Sequence, residues 1–340
     1  MPTVLEALNR GLHQAFAEDE RVYLIGEDLL DPYGGAFKVG KGLSTKYPER
    51  VWTSPVSEAA LAGVGAGMAL RGLRPVVEIM FGDFSTLLAD QLINSIAKFP
   101  GMYNGQAEVP LLIRTPMGGR RGYGPTHSQT LEKLYLGVPG LRTLAANNLA
   151  DPGELLREAI LEDNGPVLFI ENKLLYLKPM LDSEALQDFE IEVRTAVGSY
   201  APTHTLRLKG TPASSLTLVA YGYMAELARE ALLRLAFENE FFCELVVPSQ
   251  LSPFGAEGRL DAALQASLET SGRVLAIEEG CYTLGWGAEI LARAAQVFAG
   301  QLKAAQRVAA ADCPIPASAP LEEAALPSVQ DIVDAALKMV

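Results

Sequence analysis

Apolar residues along this chain fall into short runs separated by stretches with helical spacing. Thr3 followed three positions later by Glu6 is the signature of a capping box and predicts a first helix to about Ala17. In the first half, compact apolar runs predict strands at Val22–Ile25, Pro75–Ile79, Val109–Arg114, Leu141–Ala145 and Val167–Glu171. Helical periodicity lies between several of them, at about 58–71, 84–98 and 151–162. The alternation lapses near 180–214 and then resumes. Strands are expected at 216–221, 241–247, 273–278 and 305–310, and helices at about 224–238, 257–270, 286–299 and 328–339. Strands alternating with helices of this length imply two α/β domains with mostly parallel sheets. The expected division is a first domain over 1–185, an extended linker over 186–214 and a second domain over 215–340.

Composition adds boundaries to this picture. With 340 residues and 49% hydrophobic content, the chain can build two cores. A formal net charge of -13 argues against a nucleic-acid partner. Cys243, Cys281 and Cys313 form no metal-ligand spacing, and their sparse, odd count fits a reducing cytoplasm. The N-terminal stretch lacks the pattern of a signal peptide, and the nearly uncharged run 59–70 is too short and glycine-rich to span a membrane.

Three constellations carry candidate chemistry. In Ser54-Pro55-Val56-Ser57-Glu58, Ser57 is a good helix N-cap and places Glu58 in the first turn. The bland reading is a carboxylate matched to the helix dipole. The helix then carries Gly63, Gly65 and Gly67, each costing up to about 1 kcal/mol relative to alanine. Burial of a small-residue helix in an interface would explain them. The second constellation, Phe81-Gly82-Asp83-Phe84, follows a strand, where aromatics either line a pocket or fill the core. The third is the glycine-rich loop 115–129, which ends at His127. That histidine is either functional or a structural hydrogen-bonding group.

At this point the chain resembles the beta subunit of the decarboxylating component of 2-oxo acid dehydrogenase complexes, the pyruvate, branched-chain and acetoin type. The matching stretches are Val22-Tyr23-Leu24-Ile25-Gly26-Glu27-Asp28, Pro55-Val56-Ser57-Glu58, Gly72-Leu73-Arg74-Pro75-Val76-Val77-Glu78, Asp83-Phe84, His127-Ser128-Gln129, Pro139-Gly140-Leu141, Gly287-Ala288-Glu289-Ile290 and Pro314-Ile315-Pro316. Their order and spacing together make the signal specific.

The resemblance implies a thiamin-diphosphate pyrimidine-binding domain followed by a transketolase C-terminal-type domain. It implies an α2β2 heterotetramer with beta self-association, working with a lipoyl-bearing acyltransferase on a 2-oxo acid. The alpha subunit would hold the diphosphate and its magnesium. This fits the absence here of a G-D-G motif followed by an asparagine pair. Carried over by motif, Glu58 would bind a ring nitrogen of the aminopyrimidine, and Phe84 would pack on that ring. Val56 and Met80 would flank the same pocket, and His127 would act near the reacting centre. Some relatives hold a structural potassium, which Asp163 and backbone near Leu112 would bind here. Val247-Pro248-Ser249-Gln250 departs from the charged sequence common in the family at that position. Two other readings stay open: a subunit of a two-chain transketolase, and a non-catalytic beta-like scaffold.

Overall fold

The computed structural model describes residues 1–254 and 259–339. They form two compact units. The first comprises Met1–Gly118 and Leu134–Met180; the second begins at Leu181 and also includes Gly119–Lys133.

The first unit opens with α1 (Val4–Glu18), whose capping box is formed by Thr3 and Glu6 as the sequence predicts. There follow β1 (Val22–Gly26), a short α2 (Leu43–Lys46), β2 (Val51–Thr53), α3 (Glu58–Leu70), β3 (Arg74–Glu78), a single turn α4 (Phe99–Met102), β4 (Leu112–Met117), β5 (Arg142–Ala145), α5 (Pro152–Leu161) and β6 (Val167–Asn172). Six strands of this unit lie in the order β5-β6-β4-β3-β1-β2, all parallel. β1 has β2 on one side and β3 on the other, so the strand order reverses at β1. Ligands of open parallel sheets bind outside the carboxyl ends of strands at such a point.

Helices α1 and α5 pack backbone to backbone through two glycines. A Cβ on Gly11 would meet the Gly153 carbonyl oxygen at 2.0 Å, and one on Gly153 would meet the Ala7 carbonyl oxygen at 2.0 Å. Asp151 caps α5 by accepting from the Gly153 and Glu154 amides.

The helix expected over 84–98 is irregular. Gly82–Leu88 is a 3₁₀ helix, and Gln91–Ile96 is a π-helix. The apolar positions Phe84, Leu88, Leu92 and Ile96 repeat every four residues. That period exceeds the 3.6 of an α-helix, and a widened turn keeps Leu92 and Ile96 together in the core.

In the second unit, β7 (Phe189–Thr195) and β8 (Pro202–Leu208) occupy the stretch expected to be a linker. They pair antiparallel from Phe189↔Leu208 to Thr195↔Pro202. The period-two alternation Phe189-Glu190-Ile191-Glu192-Val193-Arg194 is the strand signal. It was masked by the polar Thr203, His204 and Thr205, all buried in β8. Then come β9 (Leu216–Ala220), α6 (Met224–Asn239), β10 (Cys243–Pro248), β11 (Gln250–Ser252), α7 (Ala262–Ser271), β12 (Arg273–Cys281), α8 (Trp286–Phe298), β13 (Ala304–Ala310), α9 (Ala319–Ala325) and α10 (Val329–Leu337). Of the helix expected over 257–270, positions 257 and 258 lie outside the described residues. The sheet order is β13-β12-β9-β10-β8-β7, with the four strands β13, β12, β9 and β10 parallel.

Candidate active site

The carboxyl end of β1 leads directly into Glu27. β2 runs alongside β1, and the Ser54 amide donates to the Gly26 carbonyl at 2.9 Å, which brings the entry to α3 beside Glu27. Ser57 holds the N-cap position, yet its side chain makes no capping bond. Its backbone N–H instead donates to the Glu27 carboxylate at 3.1 Å. Glu27 is therefore the group that ties down the start of α3. Burial pushes its carboxyl above the usual range, the Ser57 bond opposes this, and the Glu58 charge adds to the rise.

Glu58 is the first residue of α3 and only 4% exposed. No donor among the described residues hydrogen-bonds its carboxylate, and no cation pairs with it. The carboxyl group thus suits an external group that can donate to it or share a proton with it.

Phe84 sits half-buried at the 3₁₀ turn after β3 and packs edge-on against Phe81, with ring centroids 6.0 Å apart. Phe81 in turn meets Phe37 at 5.5 Å, and Phe37 meets Tyr176 at 5.2 Å. Met80 is half-buried just before this turn. Val56 is 76% exposed.

Beneath the aromatic chain lies a buried ion cluster crossing three adjacent strands. Arg114 of β4 pairs with Glu78 of β3 and with Glu171 of β6, the latter through Nη2 at 2.5 Å. Tyr176 donates its hydroxyl to Glu171 at 2.5 Å. A Cβ on Gly35, where φ is +86°, would meet Glu78 Oε1 at 2.2 Å, so the loop after β1 closes directly onto this cluster.

His127 belongs to the second unit. Its Nδ1 lies 3.0 Å from the Thr126 hydroxyl, and its amide donates to the Gly124 carbonyl at 3.3 Å. The preceding loop is held by acids from far along the chain. Glu322 of α9 accepts the Arg120 and Gly122 amides at 2.8 and 3.0 Å, and Glu279 accepts the Gly119 amide at 2.7 Å. Gly122 and Gly124 adopt φ of +66° and +75°, which explains the glycines there.

The residues assigned to potassium do not fit a cation. The Asp163 carboxylate pairs with Arg142 at 2.6 Å and accepts the Gly165 amide at 3.1 Å. Its carbonyl and that of Ile160 accept from the Arg74 guanidinium, each at 2.9 Å. Two guanidinium groups thus already serve these oxygens, while Leu112 is buried at the start of β4. Glu27, Glu279 and Glu322 are the positioning groups that reading the sequence did not single out as site residues. Only Glu27 stood within a motif already noted.

The transketolase pyrimidine-binding domain family matches residues 1–178, and the transketolase C-terminal domain family matches residues 207–332. A split-gene transketolase described as an inactive beta4 tetramer shares the fold, with a TM-score of 0.75 and 21% identity over 100% of this chain and 98% of that one. The chain is similar to the pyruvate dehydrogenase E1 component subunit beta-1, mitochondrial, of Arabidopsis thaliana, at 36% identity over 98% of this chain and 88% of that protein. It is also similar to the corresponding mitochondrial beta subunit of Mus musculus, at 35% identity over 99% and 90%. Similarity of this extent over both units shows that the chain belongs to the pyruvate dehydrogenase E1 beta-subunit family, with a transketolase pyrimidine-binding domain followed by a transketolase C-terminal domain.

Proposed function

We propose that this chain is the beta subunit of a thiamin-diphosphate-dependent 2-oxo acid dehydrogenase, which decarboxylates a 2-oxo acid oxidatively and passes the acyl group to lipoamide. The observation that carries the reading is Glu58, a buried carboxyl group without a partner among the described residues, at the carboxyl edge of the strand where the sheet order reverses.

These residues fit the aminopyrimidine end of the cofactor. When bound, thiamin diphosphate supplies the carbanion and the electron sink for decarboxylation. Glu58 holds a proton at a ring nitrogen, which requires a carboxyl group rather than an amide. Glu27 fixes the Ser57 backbone, and with it the direction in which Glu58 leaves the helix. Phe84 offers a flat apolar face, oriented by Phe81 and Phe37. His127 is assigned to charge stabilisation on the substrate during acyl transfer.

An alpha subunit supplies the diphosphate and magnesium site. Exposed Val56 is assigned to the wall completed by that subunit. The surface of α3 supports assembly. A Cβ on Gly67 would meet nothing within 4 Å, and one on Gly63 only the Gln91 side chain at 3.9 Å, so packing within the chain does not require these glycines. We assign that face to association between beta subunits, in an α2β2 assembly that also engages a lipoyl-bearing acyltransferase. The three free cysteines are the basis for placing the chain in the cytoplasm.

The test is Glu58→Gln in the assembled enzyme, with turnover of 2-oxo acids followed by an artificial electron acceptor. We expect turnover to fall at least about 100-fold, in the range typical for loss of proton-transfer catalysis, while assembly is kept. Near-wild-type turnover would refute the role.

A further inference from the structure

The second unit contains a cavity of about 430 Å³ at the carboxyl ends of β9 and β10. In this sheet β9 has β10 on one side and β12 on the other, so the cavity lies where the strand order reverses, the usual ligand position in such sheets. Its volume falls in the range of small-molecule sites. None of the residues proposed above for the cofactor lines it.

Its walls are largely apolar: Val219 and Val246 from the strands, Leu264 from α7, and Ile290 and Trp286 from α8. Its one described carboxylate is engaged by the protein itself. The Asp261 carboxylate caps α7 by taking the Ala263 and Leu264 amides, and it also accepts the Thr203 hydroxyl at 3.0 Å. The Gln250 and Gln265 carboxamides each donate to the protein, to the Pro253 carbonyl at 2.5 Å and to Glu269 at 3.1 Å.

Two donors stand out. Trp286 is 1% exposed, and its indole N–H has no hydrogen-bond partner among the described residues. At the exposed rim, the Arg259 guanidinium forms no ion pair among the described residues. Arg293 lies over the Phe254 ring at 4.9 Å, donates to the Arg259 carbonyl at 2.9 Å and is fixed by Glu289 at 2.6 Å.

An apolar chamber with spare donors, one of them cationic, and a carboxylate already engaged by the protein complements an anionic acceptor on an apolar body. We propose that this cavity binds an apolar carboxylate, a small organic acid with a branched or aromatic body. The body fills the space between Val246, Leu264 and Ile290, and the carboxylate meets Arg259.

The sequence contains two tryptophans, Trp52 and Trp286. In a full-length Trp52→Phe chain, tryptophan emission reports on the cavity alone. The probes are phenylacetate and 4-methylpentanoate, with phenylacetamide as the neutral counterpart. Calorimetry on the unsubstituted chain checks that the Trp52 change is silent. We expect saturable emission changes with both acids and binding of the amide weaker by at least about ten-fold, as befits loss of a charge-assisted hydrogen bond. Arg259→Gln, at an exposed position, should bring phenylacetate down to the level of the amide. Ile290→Phe should weaken both acids by narrowing the chamber. No saturable change with either acid, equal binding of acid and amide, or unaltered affinity in Arg259→Gln would each overturn the proposal. These readouts involve neither thiamin diphosphate nor turnover, so they succeed or fail independently of the function proposed for the first unit.

Discussion

Replacing Arg114 with methionine removes the cation that bridges Glu78 and Glu171 while keeping a similar volume. In the native chain Glu78 is already pushed up to about 7, by burial foremost, with Arg114 opposing the rise and Glu171 adding to it. Arg114 is itself held firmly protonated, because the two carboxylates outweigh its burial. Without it, the two buried carboxyls lose the guanidinium that bridges them. Breaking such a pair by removing one partner costs about 3–5 kcal/mol. The cheapest escape is for the carboxyl pair to take up one more proton than the native cluster does. Relative to an unfolded carboxyl near 4.5, that proton costs about 5 kcal/mol at pH 8 and about 2 kcal/mol at pH 6, at 1.36 kcal/mol per pH unit. The folded pKa is raised above the unfolded one, so stability is kept at low pH and lost as pH rises.

Urea unfolding of Arg114→Met and wild type, followed by circular dichroism from pH 6 to 8, measures the difference. We expect a loss of about 5 kcal/mol at pH 8 that shrinks by about 3 kcal/mol at pH 6. Adding Glu171→Gln should recover much of it, because one of the stranded charges is then gone. A loss under about 1 kcal/mol at pH 8, or a loss independent of pH, would show that the cluster is not a dry ion network.

Three further outcomes follow from other sites. Gly153→Ala should destabilise the chain by about 1–3 kcal/mol, because its Cβ would strike the Ala7 carbonyl oxygen at 2.0 Å; an unchanged melting temperature would contradict this packing. Gly67→Ala should leave the isolated chain as stable or up to about 1 kcal/mol more stable, yet weaken assembly, as read by sedimentation; destabilisation of the isolated chain would reverse the assignment of that face. Glu278 is pushed up to about 8 by burial and by the Glu132 charge, so its contribution holds at low pH and fades as pH rises through 8. Glu278→Gln should flatten the fall of melting temperature above pH 6, and parallel curves for the two proteins would count against the shift.

The parallel cores were legible because fully buried strands read as unbroken apolar runs, and 216–220 and 167–171 needed no tertiary information. The β7–β8 hairpin was not, because polar Thr203, His204 and Thr205 sit at buried positions of β8. Glu58 was readable from the proline break and the helix start. Its fixation by Glu27 was not, since that bond spans 30 residues and depends on β1 and β2 lying side by side. The hold of Glu322 on the His127 loop spans some 200 positions and leaves no local trace. Potassium at Asp163 was implied by the resemblance alone, and only the fold shows Arg142 and Arg74 at its oxygens.

The three glycines of α3 separate what the sequence says about folding from what it says about assembly. Gly65 answers to the chain's own core, where a Cβ would meet the Val77 side chain at 2.9 Å and that of Leu111 at 3.0 Å. Gly67 answers to nothing in its own fold, and its cost to the helix, about 1 kcal/mol, is not offset within the chain. Both residues belong to the helix that begins with Glu58. The first turn of α3 thus presents the proposed catalytic carboxyl group, and its later turns present the face proposed for association with another chain. One helix therefore links the proposed proton-sharing role to assembly, as expected of a site that a single beta subunit does not complete.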